Sequence, residues 1–242
     1  MFTNYLARSP HALRCLFAAS VLITATTQAA PSANLTVTGR LTPPSCDLTL
    51  DSDGQLDFGE RPFNSLAPDG TKVGEKAIGL QVTCNGETRI GLRVVDNRAS
   101  SKVPKADLNV NAWATPSSII TDDFIYGLGT VAGADDAQIP IGGYMFGFKD
   151  PDIMANGSKA YVIYSANLQT WRADIPSRHY LSPNFTYSFV IGSPGGGNGA
   201  PVPITSVNGA LTVVPTINRS SALPTGTDIA FDGSATISLV YL

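Results

Sequence analysis

The sequence predicts an all-β sandwich, and three features carry that expectation. Apolar and polar residues alternate at a period of two in many short stretches, the pattern of a half-buried strand. Turn-forming clusters separate those stretches: PDGT, CNGE, ANGS, PGGGNG, VNG and PTGTD. No segment shows the apolar period of an amphipathic helix. Many short strands punctuated by Gly and Pro build a sandwich of sheets.

The chain opens with a targeting segment. Arg8 and Arg14 precede an apolar run from Cys15 to Thr24, and TTQAA follows with small residues. A positive flank, a short apolar core and a small-residue site make a secretory signal peptide, residues 1–29, with cleavage expected after Ala29. Its core is too short to span a bilayer, and no later segment is long and apolar enough. Removal of the two arginines leaves 14 Lys and Arg against 19 Asp and Glu, a net charge of −5. A mildly acidic chain without a basic stripe argues against a nucleic-acid partner. Residues 30–242 suffice for a single all-β domain.

Strands are expected in order at LTVTGRL (35–41), AIGLQVTC (77–84), RIGLRVV (89–95), IGGYMFGF (141–148), KAYVIYS (159–165), FTYSFVI (185–191) and ALTVVPTI (210–217). The final residues, GSATISLVYL, place Ala235, Ile237, Leu239 and Tyr241 on one face and Ser234, Thr236 and Ser238 on the other. The chain therefore stops in the middle of a strand, although chain ends are commonly frayed and polar.

Two cysteines, Cys46 and Cys84, survive processing, and in an oxidising compartment they pair most simply with each other. Closing that loop of 38 residues is worth roughly 4 kcal/mol in the chain-entropy account. A metal site would have only His179 to join them. Enzyme chemistry finds no foothold. His179 sits in PSRHYLSP without a nucleophile elbow, and no pair of carboxylates is singled out. The acidic pairs Asp122–Asp123 and Asp135–Asp136 lack the ligand spacing of a calcium loop. SPGGGNGAPVP (193–203) is a glycine-rich loop with no following lysine or helix, unlike a phosphate cradle. No cofactor is expected. Trp113 and Trp171 are the aromatic residues that could stack on a sugar.

TGRLTPPSC (38–46), LDFGE (56–60) and KAIGLQVTC (76–84) together resemble the opening of chaperone–usher fimbrial subunits, the pilins. YGLGT (126–130), IGGY (141–144), the segment around Trp171 and DGSATISLVYL (232–242) resemble the longer, beta-fimbriae branch of proteobacterial subunits. The resemblance implies an immunoglobulin-like pilin sandwich that lacks its last strand and is completed by a donated one. One edge of the open groove would be Phe231, Gly233, Ala235, Ile237, Leu239 and Tyr241. The donor strand offered to a neighbour would be residues 30–41, with Leu35, Val37, Gly39 and Leu41 alternating.

The partners so implied are a periplasmic fimbrial chaperone, an outer-membrane usher and neighbouring fimbrial subunits, all meeting by strand addition. The function implied is that of a structural fimbrial subunit contributing to adhesion at the surface of a Gram-negative cell. The alternative is a self-contained, secreted or tip-located sandwich binding a host or surface glycan.

Overall fold

The computed structural model describes residues 31–108, 120–149, 152–173, 178–192 and 199–242. The chain divides into two compact units, Met1–Leu41 and Thr42–Leu242. The expected signal peptide and Trp113 lie outside the described residues, as does most of the glycine-rich loop.

In the first unit, residues 31–41 form neither helix nor strand. Leu35, Val37 and Leu41 are 90, 86 and 100% exposed. The strand expected at 35–41 is thus corrected: its residues alternate as a strand's do, but among the described residues no partner strand supplies a ladder. A segment with no ladder leaves its apolar side chains in water.

The second unit is all-β and antiparallel, as expected. Its strands are β1 (Cys46–Leu50), β2 (Thr71–Lys72), β3 (Lys76–Thr88), β4 (Ile90–Asp96), β5 (Tyr126–Gly127), β6 (Thr130–Ala132), β7 (Gln138–Pro140) and β8 (Gly142–Lys149). They continue as β9 (Met154–Ala155), β10 (Ser158–Ser165), β11 (Arg172–Ala173), β12 (Arg178–Tyr180), β13 (Thr186–Ile191), β14 (Ile204–Ile217) and β15 (Ala235–Tyr241). One layer runs β1-β3-β14-β8 and the other β10-β13-β4-β15, with the short β9 pairing to both β14 and β10.

Alternation decides which side chains fill the space between the layers. On β3, Ile78, Leu80, Val82 and Cys84 are buried while Gln81 and Thr83 face water. Leu92 of β4 and Phe189 of β13 enter from the other layer. Phe148 meets Phe189 edge-on at 5.8 Å, the arrangement aromatic quadrupoles favour. Each fully buried side chain of this size contributes about 1.5–3 kcal/mol.

The strands β8 and β14 are buried on both faces over part of their length. The outward Met145 of β8 and Val214 of β14 lie under a cover built from Val103, Leu108, Ile120 and Ile125. This is why GGYMFGF is apolar throughout rather than alternating. Trp171 packs with Ile163 and Val190 into a separate small cluster. At 6% exposure its ring offers no free face for a sugar.

Cys46 and Cys84 stand opposite each other in the β1–β3 register and form a disulfide. The bond ties the edge strand β1 to its neighbour β3.

Candidate functional site

The strand β15 pairs along its whole length with β4, from Ala235 opposite Asp96 to Tyr241 opposite Ile90. Among the described residues it has no strand partner on its other side. Ala235, Ile237 and Leu239 are half-buried and packed against the core, while Thr236 and Ser238 between them are exposed. The inward residues stay half-buried because a groove with an apolar floor runs beside the strand instead of a neighbour.

The groove has two banks and a floor. One bank is the segment from Phe231 through Ile237, and the other is the segment from Gly54 through Phe58. Ile78, Tyr144, Phe146 and Leu211 form the floor between them. This part encloses about 420 Å³, and a second part of about 560 Å³ extends it past Phe63, Ile141 and Ile229. Leu56, Asp57, Phe58 and Phe231 line both parts, so the two form one continuous trough.

Most of both banks lies outside the ladders, and only Ala235–Ile237 belong to a strand, β15. Residues 55–62 and 227–234 belong to no strand. Among the described residues, Thr227, Asp228, Ile229, Ala230 and Phe231 make no backbone hydrogen bond. Backbone donors and acceptors beside an apolar trough normally find partners. An exposed sheet edge of this kind is a template for another strand.

Side chains hold the banks in place. The amide N–H of Cys46 donates to the Tyr241 hydroxyl at 2.9 Å, linking the start of β1 to the end of β15. Tyr241 itself is 51% exposed, so it ties one end of the trough together rather than filling it. At the other side, Arg98 forms an ion pair with Asp232, and the Asp232 amide donates to the Leu128 carbonyl. Lys76 donates to the Asp57 carbonyl and lies over the Phe58 ring, fixing the opposite bank.

Gly233 has a steric reason to be glycine. A Cβ there would come within 2.8 Å of the Tyr144 ring and 3.0 Å of a Leu128 methyl. Gly233→Leu is expected to cost about 1–3 kcal/mol through overpacking and to obstruct the trough. Thermal unfolding measures the first effect and strand binding the second.

The floor is also uncharged. Burial pushes the Tyr144 hydroxyl far above the ordinary tyrosine range, aided by Asp96 and Asp232 and opposed by Arg98. Burial raises Tyr126 further, with Tyr187, Tyr144 and Asp96 adding to it, while its O–H donates to the Leu181 carbonyl at 3.0 Å. For both groups the folded state holds its proton more tightly than the unfolded chain, where tyrosine ionises near pH ~10. Their contribution to stability is therefore complete below that pH and is lost as pH rises above it. An unfolding midpoint that falls steeply above about pH 10, and falls less in Tyr144→Phe, is the expected result.

Of the six residues expected along the groove edge, Phe231, Gly233, Ala235 and Ile237 line the trough, and Leu239 and Tyr241 do not. Beyond them the strand continues through Leu239, packed against the core, to Tyr241, whose role is the tie to Cys46. No strand pattern marks the second bank in the sequence, although Leu56 and Phe58 alternate within LDFGE. The floor residue Tyr144 carries no sequence signal that separates it from other core aromatics.

The fold and this groove define the class: an antiparallel β-sandwich with a disulfide at one edge strand and an unladdered trough beside its last strand. Residues 35–144 match the family described as "Protein of unknown function (DUF1120)". That stretch covers the bank at 54–58 and the floor residue Tyr144, but not β15. The chain is similar to Protein GltF of Escherichia coli (strain K12), at 25% identity over 228 residues, covering 86% of this chain and 87% of that protein. It is also 25% identical over 250 residues to the Uncharacterized protein YhcF of the same organism, covering 95% of this chain and 99% of the relative.

Proposed function

We propose that the protein is a structural fimbrial subunit assembled by the chaperone–usher route and contributing to surface adhesion. In this reading residues 1–29 direct export and are removed, and the sandwich reaches the periplasm with its trough open. A periplasmic chaperone fills the trough with one of its own strands. At the outer-membrane usher the N-terminal segment of a neighbouring subunit, residues 30–41, takes that place. Both steps are strand addition, with backbone hydrogen bonds giving pairing and alternate side chains filling the apolar floor.

One observation carries the proposal: a trough with an apolar floor lies beside β15, and among the described residues the stretch Thr227–Phe231 on its rim makes no backbone hydrogen bond. The exposed alternation of Leu35, Val37 and Leu41 supports it from the other side, as the complement such a trough needs. The role is non-enzymatic and requires no cofactor.

Periplasmic expression with and without a fimbrial chaperone, followed by size-exclusion chromatography, tests this. A one-to-one complex whose solubility depends on the chaperone is expected. A stable free monomer in both cases would count against it and point to a self-contained domain.

A further inference from the structure

Asn-Gly occurs four times in the chain, at Asn85, Asn156, Asn198 and Asn208, and the fimbrial reading uses none of them. The dipeptide carries its own chemistry, because a glycine amide nitrogen without a neighbouring side chain can attack the asparagine carboxamide before it. Asn156 and Gly157 form the two-residue turn between β9 and β10, with Ala155 opposite Ser158. Their φ angles are 51° and 73°, the doubly left-handed hairpin turn in which Asn-Gly is favoured.

The exposed Asn156 side chain reaches from this turn to β14. Its Oδ1 accepts from the Thr205 amide at 2.8 Å, the Thr205 hydroxyl at 3.2 Å and the Ser206 amide at 3.3 Å. Its Nδ2 donates to the Pro203 carbonyl at 3.3 Å. These bonds fall where the β3–β14 register shifts, between Ile204 and Ser206, so the carboxamide satisfies backbone donors at a break in the ladder. The same turn starts from β9, the short strand that pairs with both layers.

We infer that Asn156 is a folding-gated modification site, which loses ammonia while the chain is unfolded and is shielded once it folds. In the reaction the Gly157 nitrogen gives up its proton to water and bonds to Cγ of Asn156. The Cγ–Nδ2 bond breaks, and Nδ2 takes up a proton and leaves as ammonia. Water then opens the five-membered imide at either carbonyl, giving aspartate or isoaspartate. In the folded chain the carboxamide must first leave its partners on β14, so attack waits on local opening.

The two products affect the fold differently. Aspartate keeps the turn and its acceptor oxygens, but it gives up the donation to Pro203 and sets a carboxylate against that carbonyl. Isoaspartate routes the main chain through the former side-chain carbon, so the two-residue turn gains a backbone atom and the reach to Thr205 is lost. A chain slow to fold is thereby marked at the joint between the layers, and the mark opposes its later folding.

The test follows residue 156 by peptide mapping that separates isoaspartate from aspartate. The full mature chain is held folded, or unfolded in urea, in mildly alkaline buffer beside a synthetic peptide of residues 152–161. The unfolded chain is expected to react at the peptide's rate. The folded chain is expected to react about a hundredfold more slowly, the factor for releasing hydrogen bonds of ordinary net strength. After partial reaction, the unfolded chain is diluted from urea into buffer containing a fimbrial chaperone. Isoaspartate at 156 is then expected to be about tenfold enriched in the chains that fail to refold. Reaction of the folded chain at the peptide's rate overturns the inference, and so does equal isoaspartate content in refolded and unrefolded chains.

Discussion

Removing Leu239–Leu242 is expected to leave no folded protein in the periplasm, with or without a chaperone. The deletion strips three register pairs from β4, those of Leu239 with Leu92, Val240 with Gly91 and Tyr241 with Ile90. It also removes the Leu242 amide bond to the Arg89 carbonyl and the Cys46 tie to Tyr241. Each lost hydrogen bond costs about 1 kcal/mol, and Leu239 adds about as much in burial. The larger loss is exposure of Leu92 and Ile90, now fully buried, at about 1.5–3 kcal/mol each. Together these approach the roughly 5–15 kcal/mol that typically holds a domain folded. Far-ultraviolet dichroism of any recovered protein, and its steady-state level, read the outcome. Normal yield with native β signal would show that the strand is dispensable and the trough not its consequence.

The second large effect is expected at the disulfide. Cys46→Ser opens a loop of 38 residues and should lower stability by roughly 4 kcal/mol. With a urea slope of about 2 kcal/mol/M, the midpoint falls by about 2 M. Reductant should move the wild-type midpoint by the same amount and leave the variant unchanged. The disulfide matters here because β1 is an edge strand with half-buried residues, Cys46, Leu48 and Leu50. Packing from one side alone holds it weakly, and the covalent link to β3 offsets that.

The parts of this architecture legible in the sequence are those where local pattern and tertiary role coincide. The strands β3, β4 and β15 are legible because one face meets the core and the period of two survives in the residues. The pairing of Cys46 with Cys84 follows from their number and compartment, and the structure places them in register. Three features are hidden for physical reasons. The bank at 55–62 has no ladder, so it carries no strand signature beyond Leu56 and Phe58. The cover over Met145 and Val214 comes from residues beside the short turns Ala99–Ser101, Lys105–Asp107 and Asp122–Phe124, and these apolar residues follow no period. The 35–41 stretch has a strand's alternation and no strand's partner, and sequence pattern cannot tell the two apart. A β-strand needs a neighbour, and the sequence specifies only the willingness to have one.

The same logic explains why the groove edge is legible and the groove is not. Ala235, Ile237 and Leu239 announce an inward face, whereas an absent neighbour leaves no mark on the residues that would have touched it. Only the geometry of both banks, with Tyr144 between them, shows the trough beside the last strand.

The most direct measurement joins a second copy of residues 31–41 after Leu242 through a short Asn-Gly turn and follows thermal unfolding of the mature chain. The tether lets the added strand run back along β15 as a hairpin. Burial of Leu35, Val37 and Leu41, less the ordering of the segment, is worth roughly 3–5 kcal/mol. For a chain of this size that raises the midpoint by about 10 °C, and a tether with those three residues changed to serine should raise it little. Equal midpoints for the native and serine tethers would contradict the account, because a trough built to accept an alternating strand must distinguish them.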